Sequence, residues 1–421
     1  MNCGVCLADF IEFQSIQTVG GYNLEYFTIN SDSYIAISNH YNGSSFNQNS
    51  YIYKFVNSTF VLLQTIPTIG ALDIESFEIN NETYLAIANS HDNSTTRYNF
   101  KIFKWNGASF EEFQSIPANC ASDIEFFKIN EINYLALANN RSDSSYNVNS
   151  KIYKWNNSLF EEIQSIPTNG GADFHFFIIG DEKYLAIANY YNNTSKKVNS
   201  IIYKWNGESF EIFQKILTYG AYDWESFEID GNYYLAVSNR ANNVTEYNID
   251  SVIYKWNGML FEDYQNILTH GAVCSDFFEI DNNYYLCFSN HNNGKTQNLQ
   301  STIYKWNTDN TFVEYQQLNT HSSRRITSFD IGSTQYLAIS NLYDGFTYNL
   351  NMKIYTWENP YKDTDNDGII DLFDKCPYTL NHSIVYSDGC PAVRGDFSDD
   401  QKLSLTDCIG ILKELIHVEN K

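Results

Sequence analysis

Residues 173–216 read DFHFFIIGDEKYLAIANYYNNTSKKVNSIIYKWNGESFEIFQKI. Four short runs within it, Phe174–Ile179, Tyr184–Ala188, Ser200–Trp205 and Phe210–Ile216, are rich in β-branched and aromatic residues. Polar or glycine-containing stretches separate them, the pattern of four strands joined by turns. Trp205-Asn206-Gly207 ends the third run as a hairpin turn, since glycine accepts the positive φ such turns need.

The same sentence is written seven times. Its glutamine recurs at Gln14, Gln64, Gln114, Gln164, Gln214, Gln265 and Gln316, a period of 50 or 51 residues. Four antiparallel strands at that period are the unit of a β-propeller blade. The two ends of the array fit one another. Phe10–Ile16 is a fourth strand with no blade before it, and Lys353–Trp357 a third strand with no fourth after it. A ring uses this offset and protects sheet edges, whereas a linear solenoid gains nothing from it. The expectation is an all-β, seven-bladed propeller over 10–358, closed by the N-terminal strand.

Most repeated positions have structural explanations. The series Phe55, Trp105, Trp155, Trp205, Trp256, Trp306, Trp357 is placed for packing between blades, because large aromatics bury large areas. Tyr-Leu-Ala cores such as Tyr84-Leu85-Ala86 read the same way. Recurrent Gln and Asn are expected to satisfy backbone groups at strand ends. None of these is a general acid, base or nucleophile, so no catalytic residue is assigned.

Aromatics are 16% of the 421 residues, and the formal net charge is −24. So acidic a surface repels phosphate backbones and anionic membranes, which excludes nucleic acid as a partner and favours cations. No apolar run approaches the ~18 residues that span a bilayer. Cys3 and Cys6 form a C-x-x-C without further ligands, read as a terminal disulfide or free thiols rather than zinc.

The repeats resemble the epilepsy-associated repeat, or EPTP repeat, through F-x-x-(F/Y)-Q, D-x-E-x-F, Y-L-A-(I/V)-A-N and S-x-I-Y-K-W-N-G. That resemblance implies a seven-bladed propeller of secreted or cell-surface proteins that acts in protein recognition, without naming a ligand.

The D-x-E position forms an acidic stripe. Its first site reads Asn23, Asp73, Asp123, Asp173, Asp223, Cys274, Arg325, and its second Glu25, Glu75, Glu125, His175, Glu225, Asp276, Thr327. In a propeller these sites surround one channel. Carboxylates gathered there suit calcium, which takes six to eight oxygens, and the resemblance implies a channel ion at the same motif. Asp73, Glu75, Asp123, Glu125, Asp223 and Glu225 are the candidate channel ligands. The alternative leaves the acids solvated at the channel mouth, with Arg325 offsetting some charge. One objection is geometric: Asp223, Glu225 and Phe227 share a strand face, so only a splayed strand end exposes both acids. Loops Ser90–Asn99, Asn140–Asn149 and Asn189–Asn199 vary between copies and are where recognition would sit.

Two calcium-type loops follow. In 363–374, Asp363, Asp365, Asp367, Asp371 and Asp374 occupy ligand positions with Ile369 giving a carbonyl and Gly368 the turn. With Cys376 and Cys390, read as a disulfide, the segment 361–391 resembles a thrombospondin type 3 repeat. Segment 394–418 resembles half of a dockerin, with Asp396, Ser398, Asp400, Lys402, Ser404 and Asp407 at ligand positions and one short helix after them. Dockerins carry two such halves, and Gln401 replaces the usual Gly, so cohesin binding is not expected. The chain is therefore read as a secreted, calcium-binding recognition or adhesion protein with an extracellular protein or glycan ligand. The alternative is a carbohydrate-binding or carbohydrate-active module.

Overall fold

The computed structural model describes residues 9–242, 246–358 and 375–376. The calcium-type loops 363–374 and 396–407, the expected helix, Cys3, Cys6, Cys390 and Cys408 lie outside them. The chain divides into two units, Glu12–Thr356 and Met1–Ile11 with Trp357–Lys421. The propeller account below concerns the first.

Strands β1–β28, numbered in chain order, form seven four-stranded antiparallel sheets, and no helix occurs among the described residues. The blade quoted above comprises β14 (Gly171–Ile179), β15 (Glu182–Asn189), β16 (Lys197–Trp205) and β17 (Phe210–Tyr219). These are the four expected strands with longer ends. The loops shrink accordingly, since Asn147–Asn149 and Lys197–Asn199 are already strand.

The last sheet is ordered β1-β28-β27-β26, combining Asp9–Gln17 with Asn351–Glu358, Thr334–Asn341 and Ser323–Ile331. The ring closes as the two incomplete ends suggested. Thr18 donates its backbone N–H to Leu350 at 2.8 Å, and Lys353 reaches Glu12 at 2.6 Å.

The constant residues build the core. Leu185, Ala186, Ile187 and Ala188 are wholly buried in the second strand of their blade. Aromatics stack from blade to blade: Phe127 lies 5.6 Å from Tyr134 in its own blade and 4.5 Å from Phe176 in the next. Trp205 meets Tyr134 edge-on at 5.6 Å. Such pairs add about 0.5–1.5 kcal/mol each beyond area burial.

The glutamines act as clasps. Gln164 donates Nε2 to the Phe210 carbonyl at 2.7 Å and accepts the Phe210 N–H at 2.9 Å. The same two-bond clasp joins Gln14 to Phe60, Gln64 to Phe110, Gln114 to Phe160, Gln214 to Phe261 and Gln265 to Phe312. Each satisfies backbone groups that no strand partner reaches. Asn189 ties its blade to the end of the preceding one, accepting the Asn169 N–H there and donating to the Asn199 carbonyl of its own sheet.

Candidate functional site

The innermost strands are β2 (Gly21–Ile29), β6 (Ala71–Ile79), β10 (Ala121–Ile129), β14, β18 (Ala221–Ile229), β22 (Ala272–Ile280) and β26 (Ser323–Ile331). Each is irregular at its start. In β18 the register shifts between Ala221 and Asp223, and corresponding shifts occur in the other six. The shift lies before Asp223, and pairing is regular from Asp223 to Phe227, so Asp223, Glu225 and Phe227 share one strand face as the objection states; Asp223 and Phe227 are both buried.

A cavity of about 50 Å³ lies on the axis, lined by Glu25, Asp73, Glu75, Asp123, Glu125, Asp173, His175, Asp223, Glu225 and Arg325, among others. The six candidate channel ligands are thus brought together. Asp73 and Asp223 are buried and the other four half-buried. Each also stitches its blade to the next. Asp73 accepts the Ile124 N–H at 2.9 Å, Asp123 that of Phe174 at 2.9 Å, Asp173 that of Trp224 at 3.0 Å, and Asp223 that of Ser275 at 2.7 Å. The second row repeats this: Glu125 holds the Phe176 N–H at 2.8 Å and Asp276 the Ser328 N–H at 2.9 Å. Where the row has His175, Nε2 accepts the Ser226 N–H at 3.1 Å. This use takes one oxygen of each carboxylate; the second oxygen of Asp73 accepts from Asn23 Nδ2, and that of Asp223 lies 3.8 Å from Arg325.

Nine carboxylates share this girdle with one guanidinium, Arg325, which lies 3.8 Å from Asp223. Burial is the main cause of the raised pKa values. Asp73 and Asp223 reach about 6, Glu25 and Asp276 about 7, and Glu125 about 8. Glu75, Asp123, Asp173 and Glu225 lie well above the carboxylate range through burial and one another's charge. The girdle therefore needs protons or a cation. By donor chemistry it fits a hard divalent ion, but the acids turn toward the next blade's amides. No group of three or more His, Cys, Asp or Glu among the described residues is spaced to hold a metal. Cys274 and Cys287 are free, buried thiols.

A second ring sits one residue earlier on the same strands and at the end of each second strand. It was not singled out from the sequence. After the constant Asn of Y-L-A-I-A-N stand His40, Ser90, Asn140, Tyr190, Arg240, His291 and Leu342, different chemistry in nearly every copy. One backbone device holds them in register. A residue with positive φ precedes each innermost strand, and in six blades its carbonyl accepts the variable residue's N–H, as Gly220 does for Arg240 at 3.1 Å; in the seventh Leu342 donates to His321 instead. A Cβ on Gly20 would lie 2.2 Å from the Tyr41 carbonyl oxygen, so the close approach requires glycine there.

These side chains form a stacked band across the mouth. His91 lies 5.4 Å from His40, and His40 lies 5.3 Å from Tyr22. The Arg324 guanidinium lies 4.6 Å over Tyr22 and 5.6 Å over Tyr222. Arg240 lies 5.2 Å over Tyr222 and 5.5 Å over Tyr190. Tyr22 and Tyr222, in the first and fifth blades, meet hydroxyl to hydroxyl at 2.6 Å. Burial pushes the Tyr222 hydroxyl up, but Arg324, Arg240 and the Tyr22 hydrogen bond reverse this and the net shift is down. Burial lowers His40 to about 3 and His91 to about 4, and holds His291 well below its ordinary value. Buried Nδ1 of His40, Nδ1 of His291, Nε of Arg240 and Nε of Arg324 have no hydrogen-bond partner. Such groups cost about 1–3 kcal/mol each when left unsatisfied.

The EPTP domain model matches seven stretches, residues 9–55, 59–106, 109–156, 159–206, 209–257, 260–307 and 311–358. A human protein named thrombospondin-type laminin G domain and EAR repeat-containing protein is 35% identical over 111 residues, 26% of this chain and 16% of that protein. Its mouse counterpart is 32% identical over 111 residues, with the same coverage. The chain thus spans about a sixth of the length of these curated relatives.

Proposed function

The chain belongs to the EPTP domain family, and from that premise we propose that its propeller is a recognition module for an extracellular protein, not an enzyme. One observation carries this reading. The seven copies nearly agree at the positions that build or clasp a blade, and disagree at the mouth residues, of which His40, Asn140, Tyr190 and Arg240 are part-exposed and Ser90, His291 and Leu342 buried. A rigid ring with divergent residues on one face is a scaffold for recognition.

The Ser226 hydroxyl lies 2.8 Å from His175 Nε2, which by itself resembles a nucleophile and its base. The Ser76 hydroxyl makes the same contact with Glu25 at 2.7 Å. The pair is one more blade stitch, which argues against a catalytic role.

Calcium is the second part of the reading. Asp73, Asp123 and Asp223, with Glu75, Glu125 and Glu225, would hold an ion in the channel only by turning from their present partners, since no three of them are now spaced to do so, and 363–374 and 396–407 would hold two more. The charge imbalance of the girdle supports the first site and ligand spacing the other two. A bound ion would offset carboxylate repulsion and brace the ring from which the mouth residues project. Secretion and a Cys376–Cys390 bridge complete this proposal.

A glycan ligand is the second reading, favoured by a groove of about 900 Å³ lined by Asn290, Asn298, Gln300, Gln317, Asn319 and His321, among others. The test is a binding array of extracellular proteins and glycans, with and without calcium. Protein hits that disappear in Tyr190→Ala/Arg240→Ala support the first reading. Glycan hits insensitive to that variant support the second.

A further inference from the structure

We propose that the axial mouth is a carboxylate-binding site, in which Arg240 and Arg324 receive an acidic side chain of a peptide segment in the partner. This rests on the recognition reading and adds the chemistry of what is recognised.

The distribution of charge is the first ground. The chain has six arginines, and three of them, Arg240, Arg324 and Arg325, belong to the rings around the axis. Arg325 lies within ion-pair distance of Asp223. Arg240 and Arg324 have no carboxylate within ion-pair distance among the described residues, although the chain carries 50 acidic residues. Both guanidiniums lie over Tyr222, with Arg324 also over Tyr22 and Arg240 over Tyr190, at 4.6–5.6 Å, and among the described residues their Nη1 atoms reach only the Tyr222 and Tyr190 hydroxyls at 3.3 and 3.5 Å. Aromatic faces lower the cost of such charges but do not neutralise them.

Unsatisfied donors are the second, independent ground. Nε of both arginines is buried without a partner, and so is Nδ1 of His291, a residue only 8% exposed. Guanidinium groups present paired N–H donors that match the two oxygens of a carboxylate. Arg240, Arg324, Tyr22, Tyr190 and Tyr222 all keep part of their surface in solvent, so a side chain reaches them from the loop face. A net charge of −24 opposes nonspecific binding of an acidic peptide. Affinity for one therefore reports a local site.

The experiment uses the full chain and fluorescein-labelled hexaglutamate as probe, with hexaglutamine and hexalysine as controls, read by fluorescence anisotropy. The expected result is saturable hexaglutamate binding, at least tenfold weaker hexaglutamine binding, and at least tenfold loss in each of Arg240→Gln and Arg324→Gln. Arg240→Lys restores less than half of that loss, because a point charge lacks the paired donors. If a variant misfolds, the wild-type ring signals of His40 and His291 in NMR must shift on addition of hexaglutamate. No binding, equal binding of hexaglutamine, or an unaffected double variant overturns the proposal. A protein ligand that still depends on Tyr190 and Arg240 while hexaglutamate fails overturns the carboxylate assignment alone. A protein ligand indifferent to both residues overturns the recognition reading beneath it.

Discussion

Asp123 of the third blade accepts the backbone N–H of Phe174 in the fourth at 2.9 Å, with its carboxyl held well above the ordinary pKa by burial and by neighbours such as Asp73. One side chain thus stitches two blades and adds to a repulsive ring. The two roles separate on substitution. Asp123→Asn keeps an oxygen to accept the N–H and removes the charge. Without calcium it should raise stability by ~1 kcal/mol or more, as one pKa unit is worth about 1.4 kcal/mol. Asp123→Ala removes the acceptor and should cost ~1–3 kcal/mol. Urea denaturation in EDTA measures both, and equal destabilisation by the two variants would deny the repulsion.

The girdle also sets a pH dependence in metal-free protein. Glu25 and Asp276 have folded values of about 7 and Glu125 about 8, above those of an unfolded chain. The native state then binds more protons than the unfolded state between about pH 4 and 8. Stability is full below that window and is lost as pH rises through it. In EDTA the urea midpoint should fall from about pH 7.5 to pH 8.5, above the value of about 6.5 at which unfolded histidines lose their protons. Saturating calcium, if it replaces the protons, should flatten the slope.

The clasps should be costly to break. Gln164→Ala leaves the Phe210 N–H and carbonyl without their partners, and a loss of about 1–3 kcal/mol is expected. Gln164→Glu keeps an acceptor for the N–H but has no donor for the carbonyl, and should be no better. Thermal unfolding of the two variants checks this.

His40, His91 and His175 should remain neutral at pH 5, since burial lowers them to about 3, 4 and 4. NMR titration of the ring C–H signals reads this directly. Apparent values near 6.5 for all three would mean that water reaches both rings freely.

The sequence and the structure agree most closely where repetition multiplies a weak signal. One Gln in a strand says little, but Gln14 through Gln265 at a fixed period announced a constant job, and the clasp is that job. The unpaired ends at Phe10 and Lys353 likewise foretold closure. The acids were found, but their use was not. That Asp73 reaches the Ile124 N–H depends on the offset between neighbouring sheets, which leaves no local pattern. The mouth ring was legible in principle: the residue after each Y-L-A-I-A-N changes from His40 to Ser90 to Asn140 while its neighbours stay constant. What the sequence could not show was that Tyr22 and Tyr222, two hundred positions apart, meet above the axis.

The central claim is that the copies agree where they build and diverge where they bind. It is tested most directly on one extracellular-protein array, comparing wild type with Gln164→Ala and with the mouth variant His40→Ala/Tyr190→Ala/Arg240→Ala. The account predicts that the mouth variant loses the specific hits with its melting temperature nearly unchanged, while Gln164→Ala melts earlier and keeps them below that temperature. Hits retained in full by the mouth variant would contradict it.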